Sequence, residues 1–140
     1  MDSEGKTDTF PASLASLFEM MQWVRERIEE AGLPERAGKQ VEIALEEALV
    51  NIVHYAYKRK KGTIEISSSH TPHELIFTIK DKGIPFNPLL KGEPIEREAP
   101  LEERAEGGLG IQLIKYYMDE VKYFHDGECN ALVLTKRLFC

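Results

Sequence analysis

The feature that most limits what this chain can fold into is a change of hydrophobic period at Gly62. Before it, apolar residues keep helical spacing. Leu14, Leu17, Phe18, Met21, Val24 and Ile28 recur at intervals of three and four, which marks one face of an amphipathic helix between Pro11 and Ala31. Gly32 ends that helix and Pro34 opens the next at its first turn. The second helix runs from Glu35 to about Tyr57, with Val41, Ala44, Leu45, Ala48, Leu49, Ile52 and Val53 as its buried stripe. Beyond Gly62 the period becomes two. Thr63 to Ser69 is rich in β-branched residues, and Glu74 to Lys80 sets Leu75, Phe77 and Ile79 against Ile76, Thr78 and Lys80. With Pro72 marking the turn, these segments read as an antiparallel hairpin.

The stretch from Gly83 to Glu106 is different in kind. It carries Pro85, Pro88, Pro94 and Pro100 among many charges and reads as one long loop, a class that is usually functional or disordered. Gly107, Gly108 and Gly110 then open a third helix with Leu109, Leu113, Tyr116 and Tyr117 on its apolar side. Val121–Phe124 and Ala131–Leu138 read as two further strands around an Asp126-Gly127 turn. Hairpins with helices grouped between them imply an α+β fold, a two-layer sandwich with the helices packed on one face of a mixed or antiparallel sheet. The 140 residues suit one domain, residues 1–140, with residues 1–10 as a flexible N-terminus.

Charge and cysteine usage narrow the function. A net charge of −6 argues against general nucleic-acid affinity, and the run Lys58, Arg59, Lys60, Lys61 is a solvated turn. Cys129, in an apparent strand region, and Cys140 have no metal-ligand spacing, which fits a reduced protein. No apolar run is long enough to span a bilayer, and Met1 to Thr9 is polar rather than a signal peptide. A cytoplasmic protein, with any membrane contact made through a partner, is the expectation.

Three short patterns carry chemistry. Glu47 and Asn51 are one helical turn apart and share a face. Asn51 offers a hard carbonyl oxygen suited to Mg²⁺, and Glu47 a carboxylate able to take a proton from a hydroxyl or water. Such a pair is also common on a solvated helix. Asp81-Lys82-Gly83 follows a strand: an ordinary turn, or a carboxylate placed to accept from an exocyclic amine beside a glycine that permits close approach. Gly107-Gly108-Leu109-Gly110 is a hinge and helix cap, or an anion cradle at a helix N-terminus. It is neither a P-loop nor a Rossmann fingerprint, since no Gly-Lys-Ser/Thr follows and no strand directly precedes it.

Taken in order, these patterns resemble the motifs of the GHKL ATP-binding superfamily. Leu45-Glu46-Glu47-Ala48-Leu49-Val50-Asn51 resembles its N-box, and Asp81-Lys82-Gly83-Ile84-Pro85-Phe86-Asn87-Pro88 the G1 box in a proline-containing form. The segment from Leu101 to Ile111 is similar to the end of the ATP lid plus the G2 box. Met118-Asp119-Glu120-Val121 and Asn130 to Leu138 resemble the closing strands. The likeness runs from about Pro11 to Leu138, and its later segments resemble the anti-sigma-factor serine kinases of the RsbW type. The histidine-kinase-like ATPase fold is what this resemblance implies.

It also implies roles. Asn51 would bind Mg²⁺ and Glu47 would be the catalytic base. Asp81 would hold the adenine amine, and Gly83 would keep the pocket open. Gly107, Gly108, Leu109 and Gly110 would cradle the phosphates of ATP, residues 88–106 would form the lid, and Arg104 would reach the γ-phosphate. The phosphoryl acceptor would be a serine or threonine of a STAS-type anti-anti-sigma protein, with a sigma factor as the alternative, sequestered partner, and the protein would be a homodimer. The neighbourhood of Met20, Met21 and Trp23, richer in large apolar groups than one core face needs, adds to the dimer expectation. Three positions depart from the pattern. Tyr55 stands where many relatives have histidine, with His54 one place earlier and read as a packed or surface residue. Asn130 stands where many have threonine and is expected to replace a hydroxyl near the phosphates. Arg104 lies farther from the glycines than in some relatives. These bear on catalytic rate more than on nucleotide binding, so a nucleotide-binding regulator without phosphotransfer is the alternative.

Overall fold

The computed structural model describes residues 5–55, 62–83 and 110–138. Strands β1 (Lys6–Pro11), β2 (Thr63–His70), β3 (Glu74–Asp81), β4 (Glu120–His125) and β5 (Asn130–Arg137) form a sheet of order β1-β2-β3-β5-β4. Every neighbouring pair is antiparallel. Helices α1 (Leu17–Ala31), α2 (Glu35–Tyr55) and α3 (Gly110–Tyr117) make the second layer, so the α+β sandwich expected from the change of period is the fold.

The period-two segments explain the sheet. Ile64 and Ile66 of β2, Leu75, Phe77 and Ile79 of β3, and Leu132 and Leu134 of β5 are buried at alternate positions. Their intervening neighbours are only partly buried or exposed. Against this face lie Met20, Met21, Val24 and Ile28 of α1, the α2 stripe from Val41 to Ile52, and Ile111 and Ile114 of α3. Each of the larger side chains among these contributes about 1.5–3 kcal/mol by leaving water.

Several expectations need correction. Residues 1–10 do not all form a flexible N-terminus, because Lys6–Pro11 is the outer strand β1, paired with β2 from Lys6↔Ser68 to Pro11↔Thr63. Thr7, Thr9 and Phe10 suit an extended chain. Phe10 is buried with its ring edge-on to Trp23, centroids 6.5 Å apart. The first helix does not begin at Pro11, which closes β1. A 3-10 turn, Leu14–Ser16, intervenes before α1. That turn leaves Leu14 and Phe18 exposed, whereas Met20 and Met21 are buried in the core. The methionines therefore offer no surplus surface for a dimer.

The links between elements follow local chemistry. Gly32 caps α1 in the left-handed region at φ 73°, where its amide donates to Glu29 O at 3.0 Å. Gly127, at φ 95°, turns the β4–β5 hairpin, and Asp126 Oδ1 accepts from the amides of Glu128 and Cys129 at 3.1 and 2.8 Å. Cys129 thus belongs to this turn, not to a strand. Cys140 and the Lys58–Lys61 run lie outside the described residues.

Candidate functional site

The core-facing row of the sheet changes character at one end. The positions that carry Leu75, Phe77 and Ile79 on β3 lead next to Asp81, and those that carry Leu134 and Leu132 on β5 lead back to Asn130. The register sets Asp81 opposite Asn130, and Asn130 opposite His125 of β4. A row of polar side chains therefore takes over from the apolar core. Asp81 and Asn130 remain buried, at 5% and 3% exposure.

Buried polar groups need partners, and these have a closed set. Asp81 Oδ1 accepts from the Gly83 amide at 2.9 Å and from Asn130 Nδ2, also at 2.9 Å. Asn130 Nδ2 also faces Gly83 O at 3.4 Å. Asn130 Oδ1 accepts from the Tyr123 hydroxyl and lies 3.1 Å from His125 Nδ1. Among the described residues, Asp81 Oδ2 accepts no hydrogen bond. The carboxylate is thus anchored through one oxygen while the other can still receive an N–H.

The second cluster lies on α2. Asn51 is buried, and its Oδ1 is a buried oxygen with no hydrogen-bond partner. Such an atom is costly unless something binds it. The only comparable atom among the described residues, Arg27 Nε, belongs to a guanidinium stacked 4.9 Å from the Trp23 ring centroid. One turn before Asn51, Glu47 is half-buried; burial foremost, and the charge of Glu46 secondarily, raise its carboxyl above the ordinary value of 4.5. Raised basicity is what a proton acceptor at neutral pH requires.

A carbonyl oxygen without a partner fits a hard cation such as Mg²⁺, which keeps most of its waters and needs few protein ligands. No cluster of three or more acidic, histidine or cysteine side chains able to hold a metal occurs among the described residues. A cation here would accordingly depend on Asn51 together with a ligand's own oxygens.

Of the sequence-derived site residues, the fold brings Asp81, Gly83 and Asn130 together and keeps Glu47 and Asn51 on one helix. Among the described residues no hydrogen bond joins the two groups. Gly110 is the first residue of α3. Arg104, Gly107, Gly108, Leu109 and the 88–106 lid lie outside the described residues. The Asn130 amide donates to the Asp81 carboxylate, because β5 begins at Asn130 itself and the ladder pairs it there. Tyr123 and His125 were missed altogether. Their alternation with Val121 was readable, but the strand register that turns them toward Asn130 was not.

A cleft of about 640 Å³ opens at the other end of the sheet, with Gly32, Pro34, Gln40, His70, Thr71 and Lys136 in its lining. Its ammonium has a structural task. Lys136 Nζ donates to Tyr117 O at 2.6 Å and to Gln40 Oε1 at 3.0 Å, closing the carbonyl end of α3.

Comparison with known proteins agrees with this geometry. Residues 10–136 match the family described as the histidine kinase-like ATPase domain. Over 119 residues the chain is 34% identical to proteins named serine-protein kinase RsbW from Bacillus mycoides (strain KBAB4), Bacillus thuringiensis (strain Al Hakam) and Bacillus cereus (strain AH820). Each alignment covers 79% of this chain and 74% of the relative.

Proposed function

The chain belongs to the histidine kinase-like ATPase family, alongside the RsbW serine-protein kinases, and from that premise we propose that it is an ATP-dependent protein serine/threonine kinase. Its protein substrate is a STAS-type anti-anti-sigma protein, and its alternative partner is a sigma factor that it holds inactive. The observation that carries the reading is the α2 pair: a half-buried, basic Glu47 one turn before an Asn51 whose buried Oδ1 has no partner.

In this reading Asp81 accepts the exocyclic amine of adenine on Oδ2, while Gly83 and Asn130 hold Oδ1. Asn51 supplies a ligand to Mg²⁺, which neutralises phosphate charge when bound. Gly107, Gly108, Leu109 and Gly110 would offer backbone amides to the phosphates, and Arg104 of the 88–106 lid would reach the γ-phosphate. Glu47 takes the proton of the attacking serine or threonine hydroxyl as that oxygen bonds to the γ-phosphorus, and the bond from the γ-phosphorus to the β–γ bridging oxygen breaks, so that ADP leaves. Little covalent work falls to the protein in such a transfer, so position and charge account for most of the catalysis.

The same reading makes the chain a single cytoplasmic domain, residues 1–140, that works as a homodimer. Among the described residues no helix is long and apolar enough to cross a membrane. Exposed Leu14 and Phe18 provide apolar surface for self-association. Light scattering is expected to give twice the chain mass; a monomer mass independent of concentration overturns the dimer.

The kinase reading is tested by incubating the protein with labelled ATP and Mg²⁺ together with each STAS-domain protein of the same genome. Label on a serine or threonine of one of them is the expected result. Nucleotide binding without transfer to any of them favours the regulator that binds nucleotide and partner only.

A further inference from the structure

The orientation of the Asn130 amide is fixed by its surroundings. The Asp81 carboxylate and the Gly83 carbonyl only accept hydrogen bonds, so the amide nitrogen must face them. That leaves Oδ1 toward β4, where the Tyr123 hydroxyl donates to it and His125 Nδ1 approaches to 3.1 Å. Four contacts thus agree on one rotamer. The chain of bonds runs Tyr123 to Asn130 to Asp81, across three adjacent strands on the same face of the sheet. A hydroxyl in place of Asn130 would lack the fork that lets one group receive from Tyr123 and give to both Asp81 and Gly83.

We propose that Tyr123, acting through Asn130, is a positioning residue for base selection: it holds the Asp81 carboxylate so that Oδ2 meets the amine of an adenine ring. The proposal rests on the reading of Asp81 as the base-binding carboxylate. Tyr123 is partly buried against the core through its ring, so phenylalanine keeps the packing and removes only the hydroxyl. Without that donor Asn130 Oδ1 loses its hydroxyl partner, and the amide is held less firmly. Asp81 Oδ1 then keeps the Gly83 amide but loses its fixed second donor, and the carboxylate no longer stays aimed.

The test compares ATP with purine riboside triphosphate, which lacks the exocyclic amine, by calorimetry on the full chain with Mg²⁺. A hydrogen bond to a charged group should favour ATP about 10-fold to 100-fold in the wild type. In Tyr123→Phe that ratio is expected to fall about threefold to tenfold, with the nucleotide-free protein still melting in one cooperative transition. Asn130→Ala, which removes the amide from the relay, should lower the ratio too, and in that background Tyr123→Phe should have no further effect. Equal losses for both nucleotides in Tyr123→Phe, leaving the ratio intact, overturn the positioning role and leave the Asp81 reading standing. Additive effects of the two substitutions on the ratio also overturn it. A wild-type ratio near one instead overturns the Asp81 reading and this proposal with it. Should Tyr123→Phe fail to fold, Asn130→Ala alone decides, since an unchanged ratio there overturns the relay at its middle.

Discussion

On α2, Glu47 is half-buried one helical turn before Asn51, whose Oδ1 is sealed from solvent without a hydrogen-bond partner. The pairing separates two tasks that adjacent polar residues often blur. Glu47→Gln preserves size and removes the base, so transfer to the partner hydroxyl should fall by roughly 10²–10⁴, with nucleotide affinity little changed. Asn51→Ala should lose transfer and Mg²⁺-dependent nucleotide affinity together. Single-turnover assays beside calorimetry with and without Mg²⁺ distinguish the two. Wild-type transfer by Glu47→Gln would move the base assignment to Glu46.

The environment of Glu47 gives a pH dependence. Its carboxyl is raised above 4.5, first by burial and then by Glu46. A base works deprotonated, so the acid limb of the rate profile should lie above the ordinary glutamate range. Glu46→Gln removes the smaller cause and should move that limb to lower pH without abolishing it. An acid limb unmoved by this substitution would remove Glu46 from the account.

The same shift has a consequence for stability. A folded-state value above the unfolded one contributes stability that is present below the unfolded pKa and lost as pH rises through the folded pKa. At neutral pH the native charge of Glu47 is therefore unfavourable, and Glu47→Gln should unfold no earlier than the wild type there. Denaturant titrations at pH 4 and pH 7 check the sign; a variant markedly weaker at neutral pH contradicts it.

Nucleotide should stabilise the fold. At about 100 times its dissociation constant it should add roughly 2.7 kcal/mol. Asp81→Ala should lower the affinity by about 1–3 kcal/mol and remove the carboxylate oxygen that the Asn130 and Gly83 amides share. Melting curves with millimolar Mg-ATP or Mg-ADP measure both effects, and curves that do not move with nucleotide exclude a nucleotide site.

At Gly32 the constraint is conformational. Nothing lies within 4 Å of the position a Cβ would take, yet φ is +73°. Gly32→Ala should thus cost about 1 kcal/mol through backbone strain alone, with no loss of packing. Chemical denaturation reads this directly; an unchanged midpoint means the α1 cap can relax.

The sequence by itself determined the layers. Helical spacing before Gly62 and alternation after it allow few folds besides helices on one face of a sheet, since each apolar stripe must be covered by another element. It also marked Glu47 and Asn51 as neighbours, because a turn of helix relates them locally. It did not reveal β1, whose six polar-rich residues become a strand only because β2 offers an edge to pair with. Nor could it bring Tyr123, Asn130 and Asp81 together. Asp81 and Asn130 are 49 residues apart in the chain, and the strand register that sets them face to face is a property of the assembled sheet. A one-residue slip in that register would turn Asn130 to the opposite face. The chemistry at the end of β3 was thus decided by tertiary pairing, and that on α2 by local helical geometry.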